Sequence, residues 1–340
     1  MQENLHRNHL VIKGKAYIGV SEPTVRWLTL ILLYSFSIAT SASRIGPVYT
    51  DSSKNVIIDY PQILQKAGVK KVRCIFKDSR KFVWIGTENG LYRYDGTNVD
   101  LLQHNADKTQ SLPDNTVISI TEDHAGQIWA GTLEGVARID PWSFTCKRFN
   151  HRMKNLDQDF DLKVYVDKKG AIWAYGSKGL DRFDNKADRF AKVWQAPKKD
   201  KSGTGYINSV TDWRNDTLVL GTFNGAILLN KNILGYRHIL TSHHITVTHV
   251  FSDADHLWLG TWGYGCYILD ATGKNSTIVR PEREIQGQLS NVITAIISTR
   301  YNNSQQIWIS TLNGIYKAQT SSQIAPFHPI FKTIWSGPVN

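Results

Sequence analysis

A fourteen-residue run, VWIGTENGLYRYDG at residues 83–96, returns along the chain and so restricts what it can fold into. The matching stretches are IWAGTLEGVARID (128–140), IWAYGSKGLDRFD (172–184), LVLGTFNGAILLN (218–230), LWLGTWGYGCYILD (257–270) and IWISTLNGIYKA (307–318). The tryptophan position falls at Trp84, Trp129, Trp173, Val219, Trp258 and Trp308, in steps of 45, 44, 46, 39 and 50 residues. A period in the forties built from short strands belongs to propeller blades rather than to helical solenoids.

The second unit predicts the four strands of a blade. VISITE (117–122) alternates branched and polar residues, DHAG (123–126) makes an Asp-led turn, and QIWAGT (127–132) is the second strand. VARID (136–140) and FTCKRF (144–149) follow as the third and fourth. Asn89-Gly90, Asn224-Gly225 and Asn313-Gly314 mark the turn between strands two and three, because both residues of an Asn-Gly pair accept left-handed conformations. Apart from YPQILQKAG (60–68), no stretch after Arg44 has a helical pattern. The expected fold class is all-β: a β-propeller of four-stranded antiparallel blades, with six recognisable units over residues 72–318 plus a partial seventh. In the partial blade, NVIIDY (55–60) of the lead segment 44–71 would pair with a carboxy-terminal strand such as FKTIW (331–335). Residues 319–340 would begin a further blade or connector. The strand-two tryptophan is expected to fill the gap between adjacent blades.

Composition agrees with a folded chain: 340 residues include 11 Trp, 14 Tyr and 12 Phe, and only 20% are charged. The net charge of +11 favours anionic partners without naming one, and no nucleic acid is expected. Cys74, Cys146 and Cys266 are an odd, widely spaced set, so they read as small buried hydrophobes rather than disulfides or a metal knuckle. Arg26 precedes a 13-residue apolar stretch, Trp27 to Ala39, followed by small residues. That pattern predicts a signal peptide over residues 1–43, cleaved near Ala42, and is shorter than the roughly 20 residues that span a bilayer.

The repeat resembles the two-component regulator propeller, the periplasmic sensor portion of hybrid two-component systems in Bacteroidetes-type bacteria. The resemblance is carried by VRCIFKDSRKFVWIGTENGLYRYDG, by HNADKTQSLPDNTVISITEDHAGQIWAGTLEGVARID and by VYVDKKGAIWAYGSKGLDRFD. It is strong for units one to three, weaker for four to six, and spans about residues 60–318. It implies a periplasmic location and the sensing of carbohydrate fragments. The kinase, receiver and DNA-binding parts of that family have no counterpart in this sequence, which therefore reads as a sensor fragment able to bind a ligand but not to phosphorylate.

If strand one is innermost, the connectors entering each blade share one face with the turns between strands two and three, and ligands commonly meet a scaffold at such loops. The fifth unit departs from the repeat there: TWGYGC carries an extra residue and puts Trp262 and Tyr264 at the tip. Aromatic rings stack on sugar faces, so this loop is the first candidate, against the alternative that both rings fold down onto blade packing. His243 and His244 lie in the connector to the same blade, but adjacent histidines point to opposite sides of an extended chain and nothing nearby completes a metal site. Lys198, Lys199 and Lys201, in the connector to unit four, would attract an acidic sugar. Arg93, Arg138 and Arg182 recur in the third strand and read as architectural ion pairs or stacks, and Asp123 and Asp167 as turn formers.

No catalytic residue, metal or cofactor is expected. The leading expectation is a non-enzymatic periplasmic sensor with an oligosaccharide partner, acidic ones included. A propeller enzyme of the lyase or glycosidase type, or a scaffold binding a second propeller or its own copy, are the alternatives. An enzyme would need a convergent acid/base pair or a metal cluster near the axis.

Overall fold

A computed structural model describes residues 11–14, 54–57, 62–150, 161–177, 179–195, 205–214, 216–240, 245–270, 276–279, 291–301, 304–312, 314–319 and 328–332. Strands β1 (Val11–Gly14) and β2 (Lys54–Ile57) pair antiparallel, and helix α1 (Gln62–Lys66) follows. Six four-stranded antiparallel sheets come next, each with its strands in chain order from the inside outward.

Blade one is β3 (Val72–Lys77), β4 (Val83–Thr87), β5 (Gly90–Tyr94) and β6 (Val99–Leu102). Blade two is β7 (Val117–Glu122), β8 (Ile128–Thr132), β9 (Gly135–Ile139) and β10 (Cys146–Asn150). Blade three is β11 (Lys163–Val166), β12 (Ile172–Gly176), β13 (Gly179–Asp184) and β14 (Arg189–Trp194). Blade four is β15 (Ile207–Trp213), β16 (Thr217–Thr222), β17 (Gly225–Asn230) and β18 (Tyr236–Ile239). Blade five is β19 (Val247–Ser252), β20 (Leu257–Thr261), β21 (Cys266–Leu269) and β22 (Ser276–Val279). Blade six is β23 (Ile293–Tyr301), β24 (Ser304–Thr311), β25 (Gly314–Gln319) and β26 (His328–Lys332).

The six expected blades and the helical turn are present, but among the described residues the pairing expected of a partial seventh blade is not formed. Lys54–Ile57 pairs with Val11–Gly14, while Phe331 and Lys332 belong to β26 on the outer edge of blade six. A strand close in sequence reaches that edge at a lower loop-closure cost than one more than 250 residues away. The apolar stretch read as a signal peptide, Trp27 to Ala39, lies outside the described residues.

Trp84, Trp129, Trp173 and Trp258 each wedge two blades together. Trp84 packs with Val117, Ile128 and Ala130 of blade two, Trp129 with Val164 and Ile172 of blade three, and Trp173 with Ile207 and Leu218 of blade four. Trp258 packs with Ile293 and Ile296 of blade six, and where blade four substitutes Val219 the valine meets Val247 and Leu257 of blade five. The buried indole N–H needs an acceptor, and the Asp that heads the preceding turn supplies it. Asp78, Asp123, Asp167 and Asp253 accept from Trp84, Trp129, Trp173 and Trp258 at 3.0, 2.7, 3.1 and 2.9 Å. The other oxygen of each carboxylate clamps the turn: Asp123 Oδ1 accepts from the main-chain N–H of Ala125 and Gln127, both at 2.9 Å. Opposite the ring, Arg93, Arg138 and Arg182 pair across the sheet with the tryptophans. Arg138 lies 5.6 Å from the Trp129 ring and Arg182 5.5 Å from that of Trp173, the stacking role that their recurrence implied.

The Gly-Thr pair after the tryptophan has two separate jobs. The glycine leaves room for the neighbouring inner strands: a Cβ on Gly221 would lie 2.9 Å from Val247 Cγ1, and one on Gly260 2.5 Å from Ile293 Cγ2. The threonine staples the hairpin, its hydroxyl donating to the main-chain oxygen of Gly90, Gly135, Gly225, Gly265 and Gly314 in five blades. The turn register differs from the expected one. Thr87 pairs with Gly90 and Thr222 with Gly225, so the loop residues are Glu88-Asn89 and Phe223-Asn224. The glycine that follows takes the positive φ, 123° at Gly90 and 82° at Gly225, while Asn89 and Asn224 do not.

At the blade three to four junction Tyr175 replaces the glycine and Gly176 the threonine. Tyr175 fills the space with a ring packed among Ile207, Val210 and Leu220. The same junction carries a buried ion cluster: Lys231 Nζ lies 3.0 Å from Asp167 Oδ2 and 2.8 Å from Asp212 Oδ1. Asp212 Oδ2 also accepts from Tyr165 Oη at 3.0 Å and from the Lys168 N–H at 2.6 Å. Burial alone would push the Asp167 carboxyl up, but Lys231, the Ala171 N–H and the Trp173 indole together hold it below the ordinary carboxylate range. On the inner strands, Lys163 Nζ donates to Asn208 O at 3.0 Å, Asn208 Nδ2 to Val247 O at 2.9 Å and Thr248 Oγ1 to Ile293 O at 2.6 Å. His249 bonds to the main chain at Ile296, and burial holds its imidazole down to about 4.

Three outcomes follow from these contacts. Gly131→Ala would press a methyl into the Leu162 carbonyl, so urea unfolding should show a loss of about 1–3 kcal/mol. Lys231→Met leaves two buried carboxylates without their cation and should cost about 3–5 kcal/mol at pH 7. Because His249 is held below its usual 6.5, the unfolded chain takes up its proton first. Stability from this group should therefore be full above pH 6.5 and fall as pH drops towards 4, and His249→Gln should flatten that window of the unfolding profile.

Candidate functional site

In blades one, four and five the connector face is assembled by main-chain hydrogen bonds between the turn after strand two and the segment that enters the next blade. Gly90 N donates to Asn115 O at 2.8 Å, Gly225 N to Ile245 O at 2.6 Å and Gly265 N to Asn291 O at 3.0 Å. Turns and connectors thus share one face, as strand order required.

The fifth-blade turn stands out on it. Trp262 is 54% exposed and Tyr264 43%, so neither ring folds down onto blade packing. Positive φ at Gly263 (87°) and Gly265 (82°) bracket Tyr264 and shape the longer tip. The tip is tied from below: Trp262 N donates to Thr246 O at 3.0 Å and Gly263 N to Asn291 O at 3.2 Å. The aromatic rings are therefore presented by an anchored loop, with little ordering left to be done on binding.

A second exposed aromatic belongs to the same rim. Phe223 occupies the matching turn of blade four and is 46% exposed. Thr246 joins the two turns, its hydroxyl donating to Phe223 O at 3.1 Å while its own carbonyl takes the Trp262 N–H. Tyr206 stacks beneath Phe223 with ring centroids 4.8 Å apart and planes at 27°, and its hydroxyl donates to Asp161 Oδ2. Burial and the Asp161 carboxylate push the Tyr206 phenol well above its ordinary value, so it stays a neutral donor. Phe223 and Tyr206 were not singled out from the sequence. The signal for Phe223 was present, since GTFNG puts a bulky ring at a turn position where the other units carry Glu, Leu, Ser, Trp or Leu.

Of the remaining candidates, Lys198, Lys199, Lys201, His243 and His244 lie outside the described residues. In sequence the two groups directly precede the segments that carry Tyr206 and Thr246. Among the described residues no group of three or more His, Cys, Asp or Glu side chains could hold a metal ion. Near the axis, Lys163 and His249 spend polar atoms on the next blade's main chain. The three thiols are free, and burial pushes Cys74 and Cys146 up to about 12, so neither is a nucleophile at neutral pH. No helix among the described residues is long and apolar enough to cross a membrane.

Comparison with known proteins places this architecture. The chain is similar to PorZ, a surface component of the type-IX secretion system of Porphyromonas gingivalis (16% identity, TM-score 0.56), over 76% of this chain and 41% of that one. It is also similar to the extracellular domain of a hybrid two-component system of B. thetaiotaomicron (19%, 0.53), over 76% and 39%. Against virginiamycin B lyase from Staphylococcus aureus (14%, 0.55) the overlap is 76% and 82%. At these identities the likeness establishes the propeller fold, and the chain spans about two fifths of the first two proteins. No curated protein matches in sequence. Residues 68–89 and 111–134, in blades one and two, match the family described as two component regulator propeller.

Proposed function

We propose that this chain is a non-enzymatic, ligand-sensing propeller of the periplasm, and that it binds a carbohydrate fragment on the aromatic rim of blades four and five. One observation carries the reading: Trp262 and Tyr264 stand exposed at the tip of the turn that departs from the repeat, with Phe223 on the adjoining turn. Large rings left open to water on an anchored loop are costly unless something covers them, and the C–H face of a sugar is a suitable cover. The pairing of exposed rings with connector segments rich in Lys and His suits a hydroxylated ligand that also bears negative charge. The two-component regulator repeats support a sensing role, and the fold likeness to an extracellular sensor domain supports the location. Binding without turnover is favoured because two titratable side chains of the inner strands, Lys163 and His249, are each engaged by the main chain of the next blade.

Titration calorimetry against a panel of neutral and acidic oligosaccharides is expected to find a saturable ligand that is recovered intact. Trp262→Ala should weaken it about tenfold while leaving the thermal midpoint unchanged, since the ring supports no core contact. Cleavage of the ligand would refute the non-enzymatic reading. An affinity indifferent to both Trp262→Ala and Tyr264→Ala would refute the rim.

A further inference from the structure

Blade one covers its entry face by a different means from the other blades. In blade two, Val117, Ile128 and Ala130 receive the wedge residue Trp84. The pairing registers put Val72, Val83 and Ile85 of blade one at the same three positions. These residues form one apolar cluster with Leu64 of α1 and with Val69, and Tyr92 and Tyr94 stand where blade two has Ala137 and Ile139. Among the described residues, no side chain of blade six enters that cluster. Helix α1 therefore occupies on blade one the place that a tryptophan of the preceding blade occupies on blade two.

The local sequence explains how so short a helix can do this. LQKAGV (64–69) ends α1 in a Schellman motif: Val69 N donates to Leu64 O and Gly68 N to Gln65 O, both at 3.0 Å, and Gly68 takes the left-handed φ of 74° that the motif needs. The motif brings its two apolar residues side by side, and these are Leu64 and Val69, the buried pair that meets blade one. A five-residue helix is marginal by itself, so that contact is what holds it. Gln62, Gln65, Lys66 and Lys70 are exposed, so α1 turns a polar side to water where the other junctions carry a neighbouring blade. Terminal units of stacked repeats are sealed in the same way, by an element with a polar outer surface. Beyond Val69 the segment is tied to the connector face: Glu88 N donates to Lys71 O at 3.3 Å, and the Glu88 carboxylate meets Lys71 Nζ at 2.7 Å and Arg73 Nη2 at 2.5 Å.

We infer that α1 is a detachable cap, which seals a wedge socket on blade one and lifts from it while the blades stay folded. The socket is the apolar face of Val72, Val83, Ile85 and Tyr92, and its occupant in the closed state is the Leu64 and Val69 pair. Aliphatic contacts hold the cap, whereas at blade two the same positions are covered by an indole whose N–H is fixed to Asp78. Local opening follows the least anchored element, so the blade-one socket opens before the blade-two one does. The inference stands apart from the aromatic rim and shares no residue with it.

The test places a thiol at the same position in both sockets of the full chain, by Ile85→Cys under α1 and Ala130→Cys under Trp84, and follows alkylation of each by peptide-resolved mass spectrometry. Ile85→Cys should be labelled at least about tenfold faster than Ala130→Cys. Adding Leu64→Asp should accelerate labelling of Ile85→Cys further and leave the rate at Ala130→Cys unchanged. Gly68→Ala is a gentler probe, because its Cβ would meet nothing within 4 Å and acts only through the left-handed φ. It should speed labelling of Ile85→Cys by about fivefold without disturbing the blade contacts. Equal labelling at the two positions would overturn the inference. So would a Leu64→Asp or Gly68→Ala effect that is absent at Ile85→Cys, or one that reaches both thiols alike, since the helix would then open only with the whole fold.

Discussion

A buried indole between consecutive sheets is the interaction on which the ring of blades depends. Its ring area drives the packing, and its single N–H is what makes the packing specific, because an unpaired donor in that position costs as much as the contact returns. One carboxylate answers both needs, taking the indole N–H on one oxygen and the turn N–H groups on the other, as at Asp78, Asp123, Asp167 and Asp253. The exceptions obey the same rule. Blade four has Val219 and no donor to satisfy, and blade six lends Trp308 the Thr299 hydroxyl at 2.8 Å. The turn aspartates read as turn formers in the sequence are therefore also indole acceptors, a role hidden because the partners are five or six residues apart.

Where the repeat is broken, a different interaction takes over the junction. Tyr175 in place of glycine puts a ring where the other blades let inner strands approach, and the Asp167, Lys231 and Asp212 cluster ties blades three and four at the same junction. Such a cluster adds little net stability over an apolar equivalent, but losing one member leaves a buried charge without its partner.

The connector face and the edge of blade two show opposite uses of the scaffold. On the connector face, one extra residue and two glycines of positive φ shape the turn that carries Trp262 and Tyr264, and main-chain bonds to Thr246 and Asn291 hold it there. At the edge of blade two, β10 packs Cys146 and Phe149 into the cores on either side while Lys147 pairs with Asp188 of blade three and Arg148 takes the connector loop on the opposite face. In both places the rigid blades do the positioning and the departures from the repeat carry the polar or aromatic groups.

Sequence periodicity by itself determined the all-β class, six blades, the order of strands within each, the wedge position and the stacked arginines, because each of these repeats at a fixed distance along the chain. It also located the Trp262 and Tyr264 loop as an interruption of the pattern. Only the tertiary structure decided that those rings face water, that Phe223 and Tyr206 join them, and that the hairpin turns sit one residue earlier than the Asn-Gly pairs suggested. It alone decided that β26 completes blade six, that Lys231 meets Asp167 across 64 residues, and that Arg148 meets the 105–111 loop. The physical reason is common to all of these: side-chain direction at a blade junction or edge is set by what the neighbouring blade or connector brings to it, and one strand's own sequence does not contain that neighbour.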